Sequence, residues 1–426
     1  MQTIKDREIY KNSLAFAQIK DFEDPLKHFR SKFHIPKHTN GTDIIYFCGN
    51  SLGLQPTTYL KHVEEVMHSW KTKAVEGHFE GENAWIPYLK HLVPHMAKVV
   101  GALPHEITIM NALTVNLHLM MVSFYQPSSS RYKILMDYSP FPSDRYTVQS
   151  QVKFHGYDPE EAIIELSPDR GEIATLEQVE KVLEEHGGEI ALIIIGGINY
   201  YTGQLYDIAQ ITKLGHQYGC KVGFDLAHAA GNVQLNLHEA GPDFAVWCTY
   251  KYLNAGPGNL SGCFIHDRHR MNPDLPRFAG WWGNKKETRF LMEKYFTPDE
   301  GAEGWVLSNP PVLALAGMRS SLELFSEAGM ENLLAKSKKL TGFLEFLIQQ
   351  LNHPKIKIIT PENPHERGCQ LSLQVQDADH SLFDRLRENG VLGDWREPDV
   401  IRVAPVPLYN TFEEVFRFAD ILQRCI

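Results

Sequence analysis

The chain has 426 residues, of which 43% are hydrophobic and 22% are charged, and its formal net charge at pH 7 is −10. This composition is that of an ordinary globular protein with room for two or three domains. The chain is acidic and has no basic block or stripe, so we expect neither nucleic acid nor an anionic membrane surface as a partner.

The amino-terminal stretch 1–22 carries charges throughout and lacks the apolar run that a signal peptide needs. The most apolar segment, 190–197, is far too short to span a bilayer. Six cysteines form no CxxC pair and mostly lie in apolar segments, where reduced thiols are expected. These features predict a cytoplasmic protein that does not cross a membrane.

Short apolar runs alternate with longer amphipathic stretches through the first two thirds of the chain. The predicted strands are 131–137, 190–197, 220–225, 243–249 and 262–267, and a helix is predicted at 175–188. Because these runs are continuously apolar, each strand should be covered on both faces. The pattern predicts an α/β fold with a mostly parallel central sheet flanked by helices, which binds ligands at the carboxyl ends of its strands.

The pattern changes after about residue 305. Two long helical stretches, 311–329 and 330–352, precede shorter strand candidates at 370–376 and 399–405. We therefore predict a large domain at 45–305. A smaller α+β domain is expected from 306–426 together with the amino-terminal segment 1–44.

Two charged residues follow apolar strands directly. Asp225 ends the run GFD, and Lys251 follows the run FAVWCT amid aromatic residues. A buried carboxylate is costly unless it is paired, and a buried amine readily loses its proton and condenses with carbonyls. This pair fits pyridoxal 5′-phosphate, with Asp225 holding the pyridine nitrogen protonated and Lys251 forming the Schiff base.

Taken singly, these residues have ordinary explanations. Asp225 could cap a helix that starts at the next residue, and His228 is more often structural than catalytic. The glycine-rich stretch 256–262 matches neither the dinucleotide nor the phosphate-loop spacing. The chain has 20 histidines but no HExxH motif, so we expect no catalytic metal. The combination of Asp225 and Lys251 therefore carries the hypothesis.

Five strings, YFCGNSLGLQP, PFPSD, GFDLAHAAGN, TYKYLNAG and RVAPVPLYN, closely resemble those of kynureninases, which are fold-type I pyridoxal-phosphate enzymes. The likeness runs in the family's order from Tyr46 to Asn410. It implies hydrolytic Cβ–Cγ cleavage of L-kynurenine or 3-hydroxy-L-kynurenine to the matching anthranilate and L-alanine, in tryptophan catabolism and NAD precursor synthesis. The choice between the two amino-acid substrates depends on pocket geometry and stays open.

The resemblance also assigns roles to single residues. Catalytic roles fall to Lys251, to Asp225 at the pyridine nitrogen, and to Tyr250 as a phosphate contact and proton donor. The implied cofactor-binding residues are Leu113, Thr114, Phe141, Asp144, Gly196, Asp225, His228, Tyr250, Lys251, Trp281 and Asn309. The implied substrate-binding residues are Arg402, which grips the α-carboxylate, and Ser51, His78, Ser308 and Asn309 at the aromatic end.

For some of these residues, an ordinary structural role is an alternative to the assigned one. Thr114 suits a phosphate at a helix start but is equally an ordinary N-cap. Phe141, flanked by prolines, would stack on the cofactor ring or merely stiffen a loop. Gly196 stands where related sequences often have a hydroxyl, so only its backbone amide is left to contact a phosphate. Arg402 could instead form a structural salt bridge.

In the family, the residues matching Trp281 and Asn309 reach the cofactor and substrate from the neighbouring subunit. The resemblance therefore implies a homodimer with shared sites. The alternative for Trp281 is packing in a core or an interface, which is the commoner role of tryptophan.

Two other functions stay open. A cysteine desulfurase on the same fold typically has a histidine before its Schiff-base lysine and a cysteine on a mobile loop, whereas this chain has Tyr250 and no glycine- or serine-rich loop that presents a cysteine. A cofactor-free binding protein on the same fold is disfavoured because Asp225, Lys251 and Arg402 are all retained.

Overall fold

The structure is a computed structural model that describes residues 9–169 and 171–426. Residues 1–8, which belong to the charged amino-terminal stretch and to the predicted segment 1–44, lie outside the described residues. The strands are β1 (Ile45–Tyr46), β2 (Ile107–Met110), β3 (Lys133–Met136), β4 (Ile163–Glu165), β5 (Ile190–Gly196), β6 (Lys221–Asp225), β7 (Phe244–Cys248), β8 (Ser261–Ile265), β9 (Ile356–Ile358), β10 (Leu371–Val375), β11 (Val391–Leu392), β12 (Asp394–Arg396) and β13 (Val400–Val403).

The helices surround these strands in chain order. They are α1 (Leu14–Glu23), α2 (Tyr59–Lys73), α3 (Val93–Val100), α4 (Leu113–Phe124), α5 (Pro142–Phe154), α6 (Pro159–Ala162), α7 (Leu176–His186), α8 (Ile208–Gln217), α9 (Leu237–Ala240), α10 (Val312–Ala328), α11 (Met330–Leu351), α12 (His380–Glu388) and α13 (Phe412–Cys425). In the described part of the chain, none of them is both long and apolar enough to cross a membrane.

A seven-stranded sheet in the order β2-β8-β7-β6-β5-β3-β4 forms the centre of the fold. Strand β8 runs antiparallel to both of its neighbours, and the other strands run parallel to one another. The prediction of an α/β fold with a mostly parallel sheet is confirmed. The predicted strands are all present as β3, β5, β6, β7 and β8, whereas β2 and β4 were not predicted.

Large aromatic rings lie directly over glycines of neighbouring strands in this sheet. A Cβ atom at Gly223 would lie 2.1 Å from the ring of Phe244, and one at Gly262 would lie 2.1 Å from the ring of Trp247. Phe244 also stacks on Phe124 of α4, with ring centroids 5.1 Å apart. This close approach of rings to backbone packs α4 tightly against the strands that carry the predicted site.

A smaller α+β unit follows in the carboxyl-terminal part, as the fold prediction expected. Its antiparallel sheet has the order β12-β13-β10-β9, and β1 pairs with β11 beside it. Helices α1, α11 and α13 supply much of a separate apolar core around Phe343, Leu371 and Phe418. Helix α10 instead buries Leu315 and Phe325 in the core of the large sheet. The division at residue 305 stays a prediction.

Asp243, at the start of β7, ties that strand to the start of β6. Its side chain is 1% exposed. It accepts a hydrogen bond of 2.8 Å from the amide of Val222 and lies 2.8 Å from His269 Nε2 and 3.0 Å from His216 Nε2. Burial raises the pKa of Asp243, but the hydrogen bonds from the two histidines and the charge of Lys221 outweigh it, so the pKa lies well below its ordinary value.

We predict that Asp243→Asn lowers the free energy of unfolding by about 3–5 kcal/mol, because it removes the anion from a buried set of ion pairs. Denaturant unfolding of the cofactor-free protein at pH 7 measures the change. The matched control is Asp420→Asn, since Asp420 and its partner Arg424 are each 61% exposed. The control should lower the free energy of unfolding by less than about 1 kcal/mol. Equal stability of the two variants would contradict the prediction.

Candidate active site

Lys251 lies in the turn that follows β7, at the carboxyl edge of the large sheet. Its Nζ atom is 3.0 Å from Nε2 of His228 and 5.8 Å from the centroid of the Phe141 ring. The amide of Gly53 donates a 2.8 Å hydrogen bond to the carbonyl of Tyr250. A Cβ atom at Gly53 would lie 2.3 Å from the Lys251 carbonyl oxygen, so only glycine lets this loop approach the lysine so closely.

Asp225 ends β6 and is 8% exposed. Its Oδ1 accepts a 2.7 Å hydrogen bond from the amide of Ala227. Residues 227–232 form turns, so the carboxylate caps a turn and not a helix. Its carboxyl group lies close enough to that of Asp144 for the charge of Asp225 to add to burial in raising the pKa of Asp144.

Three carboxyl groups gather at this edge. Burial and the adjacent charge of Asp225 raise the pKa of Asp144 well above its ordinary value, and burial also raises the pKa of Asp225. Asp137 follows β3, and burial raises its pKa to about 7, partly offset by a hydrogen bond from the amide of Gly196. A Cβ atom at Gly196 would lie 3.1 Å from Oδ2 of Asp137. The cluster therefore holds protons that exposed carboxylates would have lost.

His228 is 6% exposed beside Lys251. Burial, followed by the positive charge of Lys251, lowers its pKa well below the ordinary value, so the imidazole is neutral. Among the described residues, neither Nδ1 of His228 nor Oδ1 of Asp144 has a hydrogen-bond partner. Buried polar atoms are nearly always paired, so these two atoms mark a place that suits a polar ligand.

Two helices begin side by side next to the carboxyl cluster. Helix α4 starts at Leu113 and α5 at Pro142, and neither has a side-chain cap at its N-terminus. The hydroxyl groups of Thr114 and Ser143 are 2.8 Å apart and join the two helix starts. Unpaired amides at helix N-termini together with hydroxyl groups favour an anion such as a phosphate.

Arg402, on β13, is connected to this centre through Tyr200. The guanidinium Nη1 donates a 2.6 Å hydrogen bond to the carbonyl of Tyr200, and Nη2 lies 2.7 Å from Oδ2 of Asp394. The ring of Tyr200 meets the ring of Phe141 edge-on, with centroids 5.3 Å apart. Arg402 is thus within two side chains of Lys251, and it also has the salt bridge that the alternative interpretation expected.

Comparison with known proteins decides the family. The family model described as "Kynureninase C-terminal domain" matches residues 333–422. The kynureninase of Flavobacterium psychrophilum is 51% identical over 98% of this chain and 99% of its own, and that of Myxococcus xanthus is 51% identical over 97% and 98%. The chain belongs to the kynureninase family. The resemblance of the five sequence strings is confirmed.

Solved structures add the fold. A mutant of C-DES with glycine covalently linked to the PLP cofactor superposes with a TM-score of 0.75 at 18% identity, covering 89% of this chain and 96% of that one. The cysteine desulfurase of Thermococcus onnurineus NA1 superposes with a TM-score of 0.72 at 16% identity, covering 89% and 94%. At such identities the likeness establishes a shared fold.

For other residues that the family likeness singled out, the contacts in the described part of the chain are local ones. The hydrogen bonds and ring contacts of Trp281 and His78 within the described residues do not reach Lys251. Trp281 is 41% exposed and donates from Nε1 to the carbonyl of Arg289. His78 packs edge-on against Trp85, and Ser308 and Asn309 are exposed. Their roles stay predictions.

Ser51 and Tyr250 lie in two loops that the hydrogen bond from the Gly53 amide to the Tyr250 carbonyl joins. The amide of Ser51 donates a 3.0 Å hydrogen bond to the carbonyl of Cys48, and the pKa of the Cys48 thiol responds to burial and then to the charges of Asp394 and Arg402. Tyr250 is half-buried next to Lys251. Burial raises the pKa of its phenol, so the hydroxyl keeps its proton at neutral pH.

Sequence reasoning missed several residues at the centre: Asp137, Ser143, Tyr200, Asp394 and Arg396. Asp137 carried a usable signal, because it ends the apolar run RYKILMD just as Asp225 ends GFD. Tyr200 contributes a backbone carbonyl. Every residue has one, so the amino-acid type could not predict this contact. Asp394 and Arg396 come into place only through the pairing of β12 with β13.

We predict that Asp137 makes the cofactor-free protein less stable as the pH rises. Its pKa is about 7 in the folded chain. In the unfolded chain it is about 3.9, so the folded state binds the extra proton and loses stability between about pH 4 and pH 7. Asp137→Asn should remove this dependence and raise the free energy of unfolding at pH 8 by up to about 4 kcal/mol relative to the native chain.

Denaturant unfolding at pH 5, 6, 7 and 8 tests this. The control is Asp377→Asn, whose carboxyl group is 67% exposed and which should follow the native profile. A constant difference between Asp137→Asn and the native chain across these pH values would contradict the prediction.

Proposed function

We propose that the protein is a kynureninase, a pyridoxal-phosphate-dependent hydrolase. It cleaves the Cβ–Cγ bond of L-kynurenine, 3-hydroxy-L-kynurenine or both, and releases L-alanine and the corresponding anthranilate. The observation that carries the proposal is the placement of Lys251 Nζ 3.0 Å from the neutral His228 ring, beside the buried carboxyl groups of Asp144 and Asp225, in a chain half identical to kynureninases along its length.

The residues at the carboxyl edge fit the cofactor. The Asp144–Asp225 pair suits a protonated ring nitrogen, because a cation there relieves the repulsion between two buried carboxylates. Leu113 and Thr114, at the uncapped start of α4, suit the phosphate. The ring of Phe141 is 39% exposed and its centroid is 5.8 Å from Lys251 Nζ, which suits a flat aromatic ligand.

Pyridoxal phosphate, when bound, withdraws electrons from the substrate carbons next to the amino group. Lys251 takes the proton from the substrate Cα, and the neutral His228 keeps its Nζ in place as a hydrogen-bond acceptor. Asp225 would keep a proton on the ring nitrogen. Water adds to the substrate's Cγ carbonyl, and the Cβ–Cγ bond then breaks to leave the aromatic fragment as a carboxylic acid. The phenol of Tyr250, which stays protonated because its pKa is raised, gives a proton to Cβ.

Arg402 orients the substrate through its α-carboxylate. Its guanidinium is 1% exposed and is held by the Tyr200 carbonyl and by Asp394, and its Nε is left as a rigid donor without a partner among the described residues. Ser51, His78, Ser308 and Asn309 would complete the aromatic end.

We further propose a cytoplasmic homodimer with shared sites. Trp281, Phe290, Met292 and Tyr295 are 41–74% exposed, which leaves an apolar surface near Trp281 for a second copy to cover. Ser308 and Asn309 are likewise exposed. The six cysteines are free thiols, in keeping with a reducing compartment.

A cysteine desulfurase remains the second candidate because such enzymes share the fold. That reaction needs a reactive thiolate close to the substrate. Cys48 is the one cysteine of the six that is only partly buried, and burial raises its pKa to about 12. This thiol is a poor nucleophile at neutral pH, which favours kynureninase.

We predict that Lys251→Ala abolishes the visible absorption gained on adding pyridoxal phosphate and lowers turnover by more than about 1,000-fold, because the amine both bonds the cofactor and moves the proton. Far-ultraviolet circular dichroism checks that the fold is kept. Lys355→Ala is the control, since Lys355 is 49% exposed. Substantial turnover by Lys251→Ala would remove the lysine from the mechanism.

Product analysis tests the function itself. Cofactor-loaded protein is incubated separately with L-kynurenine and 3-hydroxy-L-kynurenine, and alanine and the aromatic acids are quantified. We expect equal amounts of alanine and aromatic acid, and the ratio of the two kcat/KM values gives the preferred substrate. No reaction with either substrate, despite the bound-cofactor spectrum, would refute kynureninase activity.

A further inference from the structure

Arg402 shares its carboxylate partner with a second arginine. Nε of Arg396 lies 2.8 Å from Oδ1 of Asp394, while Nη2 of Arg402 lies 2.7 Å from Oδ2 of the same carboxylate. The guanidinium groups of Arg396 and Arg402 lie 5.8 and 5.9 Å from the centroid of the Tyr200 ring. We call Asp394, Arg396 and Arg402 the arginine cluster.

The charges in the arginine cluster have a direct consequence for binding. Arg402 and Asp394 alone make a neutral pair, and a substrate carboxylate arriving at that pair would meet an anion next to its cation. Arg396 adds the second positive charge, which leaves the cluster with a net charge of +1. The second arginine is therefore what makes the cluster attractive to a carboxylate.

Arg396 is also the accessible member. It is 33% exposed, whereas Arg402 is 1% exposed, and it lines a cavity of about 900 Å³ together with Tyr200 and Asp394. Nε of Arg402 is buried and has no partner among the described residues. Arg396 is thus the arginine of the cluster that a ligand in this cavity can contact directly.

Two further carboxylates lie on the wall of this cavity. Glu172 accepts a 2.6 Å hydrogen bond from the hydroxyl of Tyr138, and Glu397 accepts one of 3.0 Å from Nε1 of Trp395. Neither makes an ion pair with Arg396 within the described residues. The ion-pair partner of Arg396 among the described residues is therefore Asp394.

The field of both arginines reaches the reaction centre. After burial and the charge of Lys251, the positive charges of Arg402 and Arg396 lower the pKa of His228 further. Because His228 lies 3.0 Å from Lys251, a carboxylate bound to the arginine cluster would lie near the amine that acts on the substrate.

We propose that Arg396 is a substrate-binding residue that supplies the net positive charge for the substrate's α-carboxylate, and that Asp394 is a positioning residue that holds both guanidinium groups. The proposal rests on the function proposed above and adds a second cation to its carboxylate site. The ligand class is an α-amino acid with a free carboxylate.

Steady-state kinetics with L-kynurenine give the first test. Arg396→Gln should raise KM by about tenfold or more with kcat changed less than about twofold, because a charged contact to the bound carboxylate is lost. Arg396→Lys keeps the charge and should recover part of the loss. The control is Arg424→Gln, since Arg424 is 61% exposed on α13 and pairs with Asp420. An unchanged KM in Arg396→Gln would overturn the proposal.

Equilibrium binding gives a readout that does not depend on turnover. Cofactor-loaded protein is titrated with L-alanine and with L-alaninamide, which lacks the carboxylate, and the change of the visible band is followed. We expect Arg396→Gln to weaken the binding of L-alanine by about tenfold and to leave the binding of L-alaninamide unchanged. Equal weakening of both ligands would mean a merely structural role, and a native protein that binds both equally would also overturn the proposal.

The outcomes separate this inference from the proposed function. If the native protein cleaves kynurenine and Arg396→Gln binds L-alanine normally, the inference fails while the function stands. If the native protein cleaves neither kynurenine but L-alanine binding depends on Arg396, the function fails while the carboxylate site stands.

Discussion

The burial of an uneven set of charges at the carboxyl edge of the large sheet is the constraint on which the site depends. Asp137, Asp144 and Asp225 face this edge, and Lys251 is the one cation that appears among the causes of their shifted pKa values. Raised pKa values keep protons on carboxyl groups and so reduce the imbalance of charge. The free energy of unfolding is lower as a result. A ligand with a cationic ring nitrogen restores the balance, so the same imbalance that strains the folded chain favours the cofactor.

The opposite ends of the same strands show how the fold tolerates that strain. Asp243 is as buried as Asp225, yet histidines, a lysine and a backbone amide surround it, and its pKa is lowered where that of Asp225 is raised. The hydrogen bond that Asp243 accepts from the Val222 amide joins the starts of β6 and β7. The two strands therefore stay together although their carboxyl ends carry unpaired charges. Two buried aspartates on neighbouring strands thus serve structure at one end and ligand binding at the other.

Much of this arrangement was predictable from the sequence. The continuously apolar runs identify the central strands, and a charged residue directly after such a run identifies Asp225 and Lys251. Strand β4 was not predicted because its three residues are partly buried or exposed and too few to show periodicity. Strand β2 has four residues, as many as β3, all of them buried, and was overlooked. Tyr200 accepts the hydrogen bond of Arg402 through its backbone carbonyl, so the residue type did not predict this contact. Trp281 and Asn309 were assigned to the site by family likeness alone. Their positions within a single chain do not account for the roles assigned to them.

The carboxylate site adds a requirement that concerns both sheets. Asp394 and Arg402 are direct cross-strand partners in the small sheet, so their pairing is fixed by the register of β12 and β13. The loop after β5 fastens that sheet to the large one, because the carbonyls of residues 200–202 accept hydrogen bonds from Arg402, Ser372 and Thr360. An amino acid held by Lys251 at one end and by the arginine cluster at the other therefore bridges the two sheets. Its binding depends on the distance between them, and any change that loosens this loop should weaken substrates that carry a carboxylate more than those that lack one.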